Sequence, residues 1–157
     1  MGARRPGPIA RRLLRAPAYL YDLGLGWLFG RRFVRLTHVG RRSGRHYQTM
    51  LEVLAVRPDG EVVVIAGLGP SSDWFRNIQA RPGVEVALAQ QRFRPAHRVL
   101  GEDEAVEVVA DYERRNRWVA PAVRRMLSWL VGWRYDSSEP ARRRLVRERP
   151  LVGFRAE

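Results

Sequence analysis

Short hydrophobic runs, separated by turns that contain glycine or proline, fill the chain from residue 32 onward. Runs rich in Val, Ile and Leu with alternating polar positions are typical of β-strands. The Pro58–Gly60 turn separates two such runs, so residues 47–66 are expected to form a hairpin. The pattern predicts strands at residues 32–39, 47–56, 61–66, 84–89, 93–100 and 151–154.

Hydrophobic residues spaced three and four apart predict helices in the other segments. Ser72 or Asp73 is suited to cap the first helix, and Pro82-Gly83 prevents its continuation. These helices are predicted at residues 73–80, 103–118, 121–133 and 137–149. Strands joined mainly as hairpins, with helices gathered late in the chain, predict an α+β fold built on a small antiparallel β-barrel with flanking helices.

Residues 1–30 have a different character and are predicted to be a basic amphipathic N-terminal segment, with residues 31–157 forming the single domain. One interpretation is a helix that covers an end of the core. The other is a helix that lies on a membrane with Tyr19 and Trp27 at the interface. The apolar stretch 18–30 is too short to span a bilayer, which takes roughly 20 residues, and Asp22 interrupts it.

The chain is strongly basic, with a formal net charge of +13, and all 29 of its basic residues are arginine. Because alanine, glycine, proline and valine are also abundant, coding bias explains part of this number, and nucleic-acid binding is not favoured. Residues 1–57 carry 12 arginines against only Asp22 and Glu52, so an anionic ligand or an anionic membrane surface is expected there. The absence of cysteine from the sequence excludes disulfides, thiol nucleophiles and zinc–thiolate sites.

The segment Gly40–Arg45 (GRRSGR) is the strongest candidate for a binding site. Its two glycines allow positive φ and a close approach of backbone N–H groups to a ligand. Arginine side chains bind phosphate or carboxylate groups with two hydrogen bonds. The alternative is an ordinary solvated hairpin turn.

A second candidate is Asp73–Asn77 (DWFRN), at the start of the first predicted helix. Trp74 and Asn77 are three residues apart and therefore lie on one helix face. A planar ring could rest on the tryptophan while the amide contacts its edge. The alternative is that Trp74 and Ile78 simply dock the helix on the barrel.

The order of these segments resembles the deazaflavin-dependent (coenzyme F-420) nitroreductase and quinone reductase family. The resemblance covers about residues 33–118, including the RPGVEV segment at Arg81–Val86, and the late PLVGF segment at Pro150–Phe154 also resembles the closing strand of that family. It implies a split β-barrel with the cofactor in a groove. The residues that it implies for cofactor binding are Arg41, Arg42, Ser43 and Gly44 in the turn, Tyr47, Gln48 and Thr49 in the next strand, Gly67, Leu68 and Gly69 in the following loop, and Asp73, Trp74 and Asn77 in the helix.

The resemblance also implies an oxidoreductase that transfers a hydride from reduced F-420 to an electron-poor acceptor, such as a quinone, a nitro compound or an activated alkene. Tyr135 is a candidate proton donor only by its position in the sequence. The alternatives left open are FMN as cofactor on a related split barrel, and a non-enzymatic lipid- or fatty-acid-binding protein at the membrane periphery. A small-molecule acceptor and pairing into a homodimer are further expectations, with a cytoplasmic location or attachment to the inner face of the cell membrane.

The three histidines are not expected to bind a metal ion. His38, His46 and His97 are scattered, with no second ligand at helical spacing. His38 alternates with core positions of a predicted strand and is expected to be structural. The sequence contains no GxGxxG, Walker or G-x-S-x-G motif, so it gives no support to dinucleotide, P-loop or hydrolase functions.

Overall fold

The computed structural model describes residues 32–157, so the predicted N-terminal segment 1–30 lies outside the described residues. The strands are β1 (Phe33–Val39), β2 (His46–Val56), β3 (Val62–Ile65), β4 (Glu85–Leu88), β5 (Gln91–Phe93), β6 (Pro95–Val99) and β7 (Leu151–Ala156). The helices are α1 (Asp73–Ala80), α2 (Glu102–Arg115), α3 (Ala120–Val131) and α4 (Glu139–Glu148), and a short 3-10 turn, Arg117–Val119, precedes α3.

The seven strands form one antiparallel sheet in the order β5-β4-β1-β2-β3-β7-β6. The first half of β2 pairs with β1, and its second half pairs with β3. The register with β3 shifts between Val53 and Ala55, and such a bulge bends the strand and increases its twist. This bend allows the sheet to curl into a nearly closed barrel, and the predicted hairpin at 47–66 is confirmed.

The barrel interior is filled by alternate side chains of the strands. Branched residues dominate because they fit a pleated surface that is buried. This interior core contains Val34, Leu36, Leu51, Val53, Val62, Val64, Val86, Leu88, Val152 and Phe154, together with Ala66, Trp74 and Ile78 from the segment 66–80. Helix α1 therefore packs its apolar face into the barrel.

A second core lies between the outer face of the sheet and the C-terminal helices. The strands contribute Leu54, Val63 and Leu151, and the remaining buried members are Leu100, Ala105, Val106, Val108, Val109, Tyr135, Ala141, Leu145 and Val146. Helices α2 and α4 supply most of these residues, so they form the layer that covers this face. The α+β split-barrel class predicted from the sequence is confirmed.

One predicted strand is wrong in its extent. The segment 93–100 forms two strands instead of one, because Arg94 ends the pairing with β4 and Pro95 begins the pairing with β7. None of the helices within residues 32–157 is both long enough and apolar enough to cross a membrane.

Candidate functional site

The turn between β1 and β2 has a geometry that requires both of its glycines. The N–H of Gly40 donates to the carbonyl of Arg45, and the N–H of Gly44 donates to the carbonyl of Gly40, both at 2.8 Å. Gly44 has a φ of 69°, which favours glycine. A Cβ on Gly40 would lie 2.6 Å from Ser43 Oγ and 2.7 Å from a ring carbon of Tyr47, which leaves no room for a side chain.

The side chains of Ser43 and Tyr47 contact each other within the turn. Their hydroxyl oxygens are 3.1 Å apart, and the N–H of Arg45 donates to Ser43 Oγ at 3.2 Å. The Tyr47 ring stacks beside that of His38, its partner across the β1–β2 ladder, with ring centroids 6.0 Å apart. The turn is thus shaped before any ligand arrives, which reduces the entropy lost on binding.

Arg41 fastens this turn to helix α1. Its backbone N–H donates to Asn77 Oδ1 at 3.1 Å, and its guanidinium Nη1 donates to the same oxygen at 2.9 Å. The same Nη1 contacts Asp73 Oδ1 at 3.1 Å. The two candidate segments of the sequence are therefore in direct contact in the fold.

Asn77 is 3% exposed and also binds His38. Since its Oδ1 accepts hydrogen bonds from Arg41, its Nδ2 must donate to His38 Nδ1, at a distance of 3.0 Å. His38 Nδ1 is therefore an acceptor, and the neutral ring carries its proton on Nε2. Burial lowers the pKa of His38, and the nearby negative charge of Asp73 opposes this shift.

Trp74 does not project into solvent beside Asn77. It is 8% exposed and packs in the interior core, as the docking alternative predicted. Asp73 remains exposed at the first turn of α1. Contact between these helix residues and a cofactor ring stays a prediction.

The loop 67–69 lies against the C-terminal part of the chain. Leu130 of α3 is the neighbour of Gly67, since a Cβ there would be 3.3 Å from Leu130 Cδ2. Gly69 has a φ of 87°, and a Cβ there would be 2.6 Å from Arg149 Nη1. Leu68 between them is exposed. This loop leads directly into helix α1, and Ser72 at its end donates to the carbonyl of Gly69 instead of capping the helix with its side chain.

The remaining predicted site residues, Gln48, Thr49 and Tyr135, lie on strand β2 and in the second core. Gln48 and Thr49 continue along β2 from Tyr47, with Gln48 exposed and Thr49 half-buried. Tyr135 is buried in the second core, where its hydroxyl donates to Glu113 and its backbone N–H donates to Ser128 Oγ. The turn, β2 and α1 are thus brought together, while the contacts of Tyr135 are all with the C-terminal helices and their connections.

The three arginines of the turn are not equivalent, because Arg41 pairs with Asp73 while Arg42 and Arg45 have no acidic partner within the described residues. Most arginines of the described residues pair with acids, as Arg98 does with the buried Glu61 at 2.7 Å. Arg42 and Arg45 are exposed, and neither guanidinium pairs with an acidic group within residues 32–157. Two guanidinium groups on a fixed turn are donors suited to a phosphate or carboxylate ligand, so the residues present fit an anionic cofactor.

Arg45 and Arg149 are not among the cofactor-binding residues that the family resemblance implied. Arg45 lies inside the GRRSGR motif and, like Arg42, has no acidic partner within the described residues. Arg149 reaches Gly69 from the far end of the chain, and no local pattern signals that contact.

The sequence profile of the F420H(2)-dependent quinone reductase family matches residues 23–126. No curated protein matches the chain.

Several solved structures share the fold at low identity. An F420-H2 dependent reductase is 16% identical, with a TM-score of 0.49 over 80% of this chain and 96% of the other. A structure described as a domain-swapped dimer is also 16% identical, with a TM-score of 0.51 over 88% of this chain and 98% of the other. A pyridoxamine 5'-phosphate oxidase-related, FMN binding protein from Nostoc punctiforme is 13% identical, with a TM-score of 0.53 over 99% and 83%.

The two structures with TM-scores above 0.5 support the fold alone, whereas the family profile covers well over half of the chain and includes both the β1–β2 turn and helix α1. The expectation drawn from the GRRSG and DWFRN segments is therefore confirmed at the level of the family. The chain belongs to the F420H(2)-dependent quinone reductase family, whose reductant is the reduced form of coenzyme F-420.

Proposed function

We propose that this chain is an oxidoreductase that reduces a quinone or a comparably electron-poor nitro compound or activated alkene at the expense of reduced F-420. The observation that carries the proposal is the hydrogen-bonded turn at the end of β1, with two guanidinium groups that pair with no acid within residues 32–157, in a chain of this family. When bound, the deazaflavin supplies a hydride, and the protein supplies binding, orientation and exclusion of water.

Arg42 and Arg45 are the residues that we assign to the anionic part of the cofactor. Each can donate two hydrogen bonds to a phosphate or a carboxylate group. The backbone N–H groups of Arg42 and Ser43 point to the same role, since neither has a hydrogen-bond partner within the described chain. The hydroxyl of Ser43 and the N–H of Gly44 are already engaged in the turn, so they shape the site.

Arg41 has a different role in this proposal. Its guanidinium is held by Asp73 and Asn77, and it therefore fixes the turn on helix α1. A turn held in place by a buried amide keeps Arg42 and Arg45 in one orientation. Arg41 is thus a positioning residue, and its loss is expected to weaken binding through disorder of the turn.

The ring of the cofactor is proposed to lie in the groove bounded by the turn, the β2 residues Tyr47–Thr49 and the loop Gly67–Gly69. Gln48 and Leu68 are exposed and are therefore available for contact. Trp74 lies beneath this region in the core and supports helix α1. Asp73 is at the first turn of that helix, where its charge holds Arg41.

A fluorescence titration with oxidised F-420 tests the assignment. The Arg42→Ala/Arg45→Ala variant is expected to weaken binding by about tenfold or more, because two charge-assisted interactions are lost. The matched control is Arg92→Ala/Arg94→Ala, which removes two exposed guanidinium groups from another surface. Equal affinity in wild type and both variants would contradict the proposal. Turnover with reduced F-420 and a quinone, a nitro compound and an activated alkene then identifies the acceptor.

FMN is the alternative cofactor, and the structural likeness to an FMN binding protein favours including it in the test. FMN also carries a phosphate that the same turn can bind. A yellow protein with a flavin spectrum after purification, and no saturation with F-420, would support FMN. The likeness to a domain-swapped dimer is the reason to measure the mass of the particle in the same preparations.

A further inference from the structure

We propose that helix α3, with the 3-10 turn before it, forms a surface that docks on an anionic lipid bilayer. The observation behind this proposal is the exposure of large apolar side chains on this segment. Trp118 is 80% exposed, Trp129 is 72% exposed and Met126 is 49% exposed. Residues of this size are normally buried, and a group of them on one surface marks an interaction site.

The exposed residues share one side of the segment. Ala122, Arg125 and Trp129 follow one another at spacings of three and four, which places them along one face of α3, and Trp118 precedes them in the 3-10 turn. All four are exposed, and Met126 lies next to this line. The structure therefore has an apolar stripe with a guanidinium between its two tryptophans.

The opposite side of α3 attaches the helix to the protein. Leu127 and Val131 pack partly against the second core, and Leu130 contacts Gly67. No residue of α3 is fully buried. The helix thus rests on the protein by one face only, and nothing within residues 32–157 covers its outer face.

The charge of this segment is of one sign. Residues 117–135 contain four arginines, at positions 117, 124, 125 and 134, and no acidic residue. Arg117, Arg124 and Arg125 form no ion pair within the described chain, whereas Arg134 interacts electrostatically with Asp136. Helix α4 differs, because Arg143 and Arg147 there both pair with Glu102. The uncompensated charge on α3 is therefore available to an anionic partner.

An anionic bilayer fits this surface better than a second copy of the chain does. In a two-fold interface, the Arg125 stripe of one copy would face the same stripe of the other, with no acid to compensate. Tryptophan is favoured at the boundary between lipid headgroups and acyl chains, and arginine is attracted to acidic headgroups. A short helix with both residue types on one face lies flat in that boundary.

This proposal does not depend on the cofactor assignment, because it rests on α3 alone. Sedimentation with vesicles tests it on the full chain. Vesicles of phosphatidylcholine with about one third phosphatidylglycerol are expected to bind the protein, and pure phosphatidylcholine vesicles are expected to bind it more weakly. The Arg124→Gln/Arg125→Gln variant should bind the anionic vesicles about fivefold more weakly for each charge removed.

The Trp118→Ala/Trp129→Ala variant should also weaken binding, because it removes the apolar contacts and leaves the charge unchanged. The control Arg92→Gln/Arg94→Gln removes two exposed charges elsewhere and should bind within twofold of wild type. Circular dichroism confirms that each variant is folded. The full chain also contains the basic segment 1–31, so only a loss specific to the α3 variants supports the proposal.

Three results would overturn it. The first is equal vesicle binding by wild type and both α3 variants. The second is a dimer that dissociates in Trp118→Ala/Trp129→Ala, in a protein that does not bind vesicles. The third is retention of the protein by duplex DNA but not by anionic vesicles, with loss of that retention in the arginine variant.

Discussion

Asn77 Oδ1 accepts hydrogen bonds from both the backbone N–H and the guanidinium of Arg41, at 3.1 and 2.9 Å. One buried amide oxygen therefore joins the β1–β2 turn to helix α1, two segments that are far apart in the sequence. The same side chain binds His38 through Nδ2, so strand β1 is tied to the helix as well. The candidate cofactor site depends on this three-way junction for its shape.

The first prediction concerns this junction. Asn77→Leu leaves the Arg41 N–H and the His38 ring without their partner in a buried place. The expected loss in the free energy of unfolding is about 2–3 kcal/mol, measured by urea denaturation. F-420 affinity should fall as well, because the turn loses its anchor. Gln79→Leu on the exposed side of the same helix is the control and should change neither quantity appreciably.

The second prediction is a pH dependence of stability from His38. Burial lowers its pKa in the folded protein, whereas the unfolded chain protonates near pH 6.5. The unfolded state therefore binds more protons in mildly acidic solution, and the contribution of His38 to stability is lost as the pH falls below about 6.5. His38→Gln should flatten the decline in unfolding free energy between about pH 7.5 and pH 5.5.

His97 is also partly buried with a lowered pKa, so the wild-type slope contains both groups. The difference between wild type and His38→Gln isolates His38. Parallel pH profiles for the two proteins would show that His38 is not a neutral buried acceptor.

The third prediction separates two contributions to the loss of stability in Gly69→Ala, the backbone strain and the steric contact with Arg149. Gly69→Ala places a methyl group in a left-handed backbone conformation and brings it 2.6 Å from Arg149 Nη1. Gly60→Ala has a similar φ of 85° with nothing within 4 Å, so it carries only the backbone cost of about 1–2 kcal/mol. Thermal unfolding should show that Gly69→Ala is the more destabilising change. Equal losses would mean that Arg149 moves aside freely.

The fourth prediction concerns Tyr135. Its hydroxyl binds Glu113 in the second core, and burial, followed by that hydrogen bond, raises its pKa. A phenol that holds its proton more tightly and contacts a structural carboxylate is a poor proton donor in turnover. Tyr135→Phe should lower the unfolding free energy by about 1–2 kcal/mol and leave kcat with F-420 and a quinone within twofold. A large fall in kcat with unchanged stability would instead support its selection as a proton donor.

The sequence patterns predicted the elements of the fold well because the strands of the barrel coincide with hydrophobic runs that end at recognisable turn residues. Strands β1 to β3 follow hydrophobic runs bounded by Gly40 and the Pro58–Gly60 turn, and β3 and β7 have the branched residues of a buried pair. The error at 93–100 arose because both halves are hydrophobic enough for one strand. Only the tertiary pairing shows that Arg94 separates them, since the two halves have different partner strands.

The candidate site was less predictable, because its parts meet through tertiary contacts. Spacing alone placed Trp74 and Asn77 on one helix face. Both side chains are buried, Trp74 in the interior core and Asn77 against the β1–β2 turn. No local pattern shows that the guanidinium of Arg41 binds Asp73 and Asn77, whereas that of Arg42 has no acidic partner within the described residues. The family resemblance predicted which segments matter, and the fold assigns their individual tasks.

The single residue between β5 and β6 has a consequence for the behaviour of the protein in concentrated solution. Those strands occupy the two ends of the sheet order, so one bent stretch of chain around Arg94 supplies both borders of the sheet. Each border is only three or five residues long. Short, interrupted borders are poor templates for adding a foreign strand. The break between β5 and β6 therefore leaves no long exposed edge at either of these two borders that would promote aggregation.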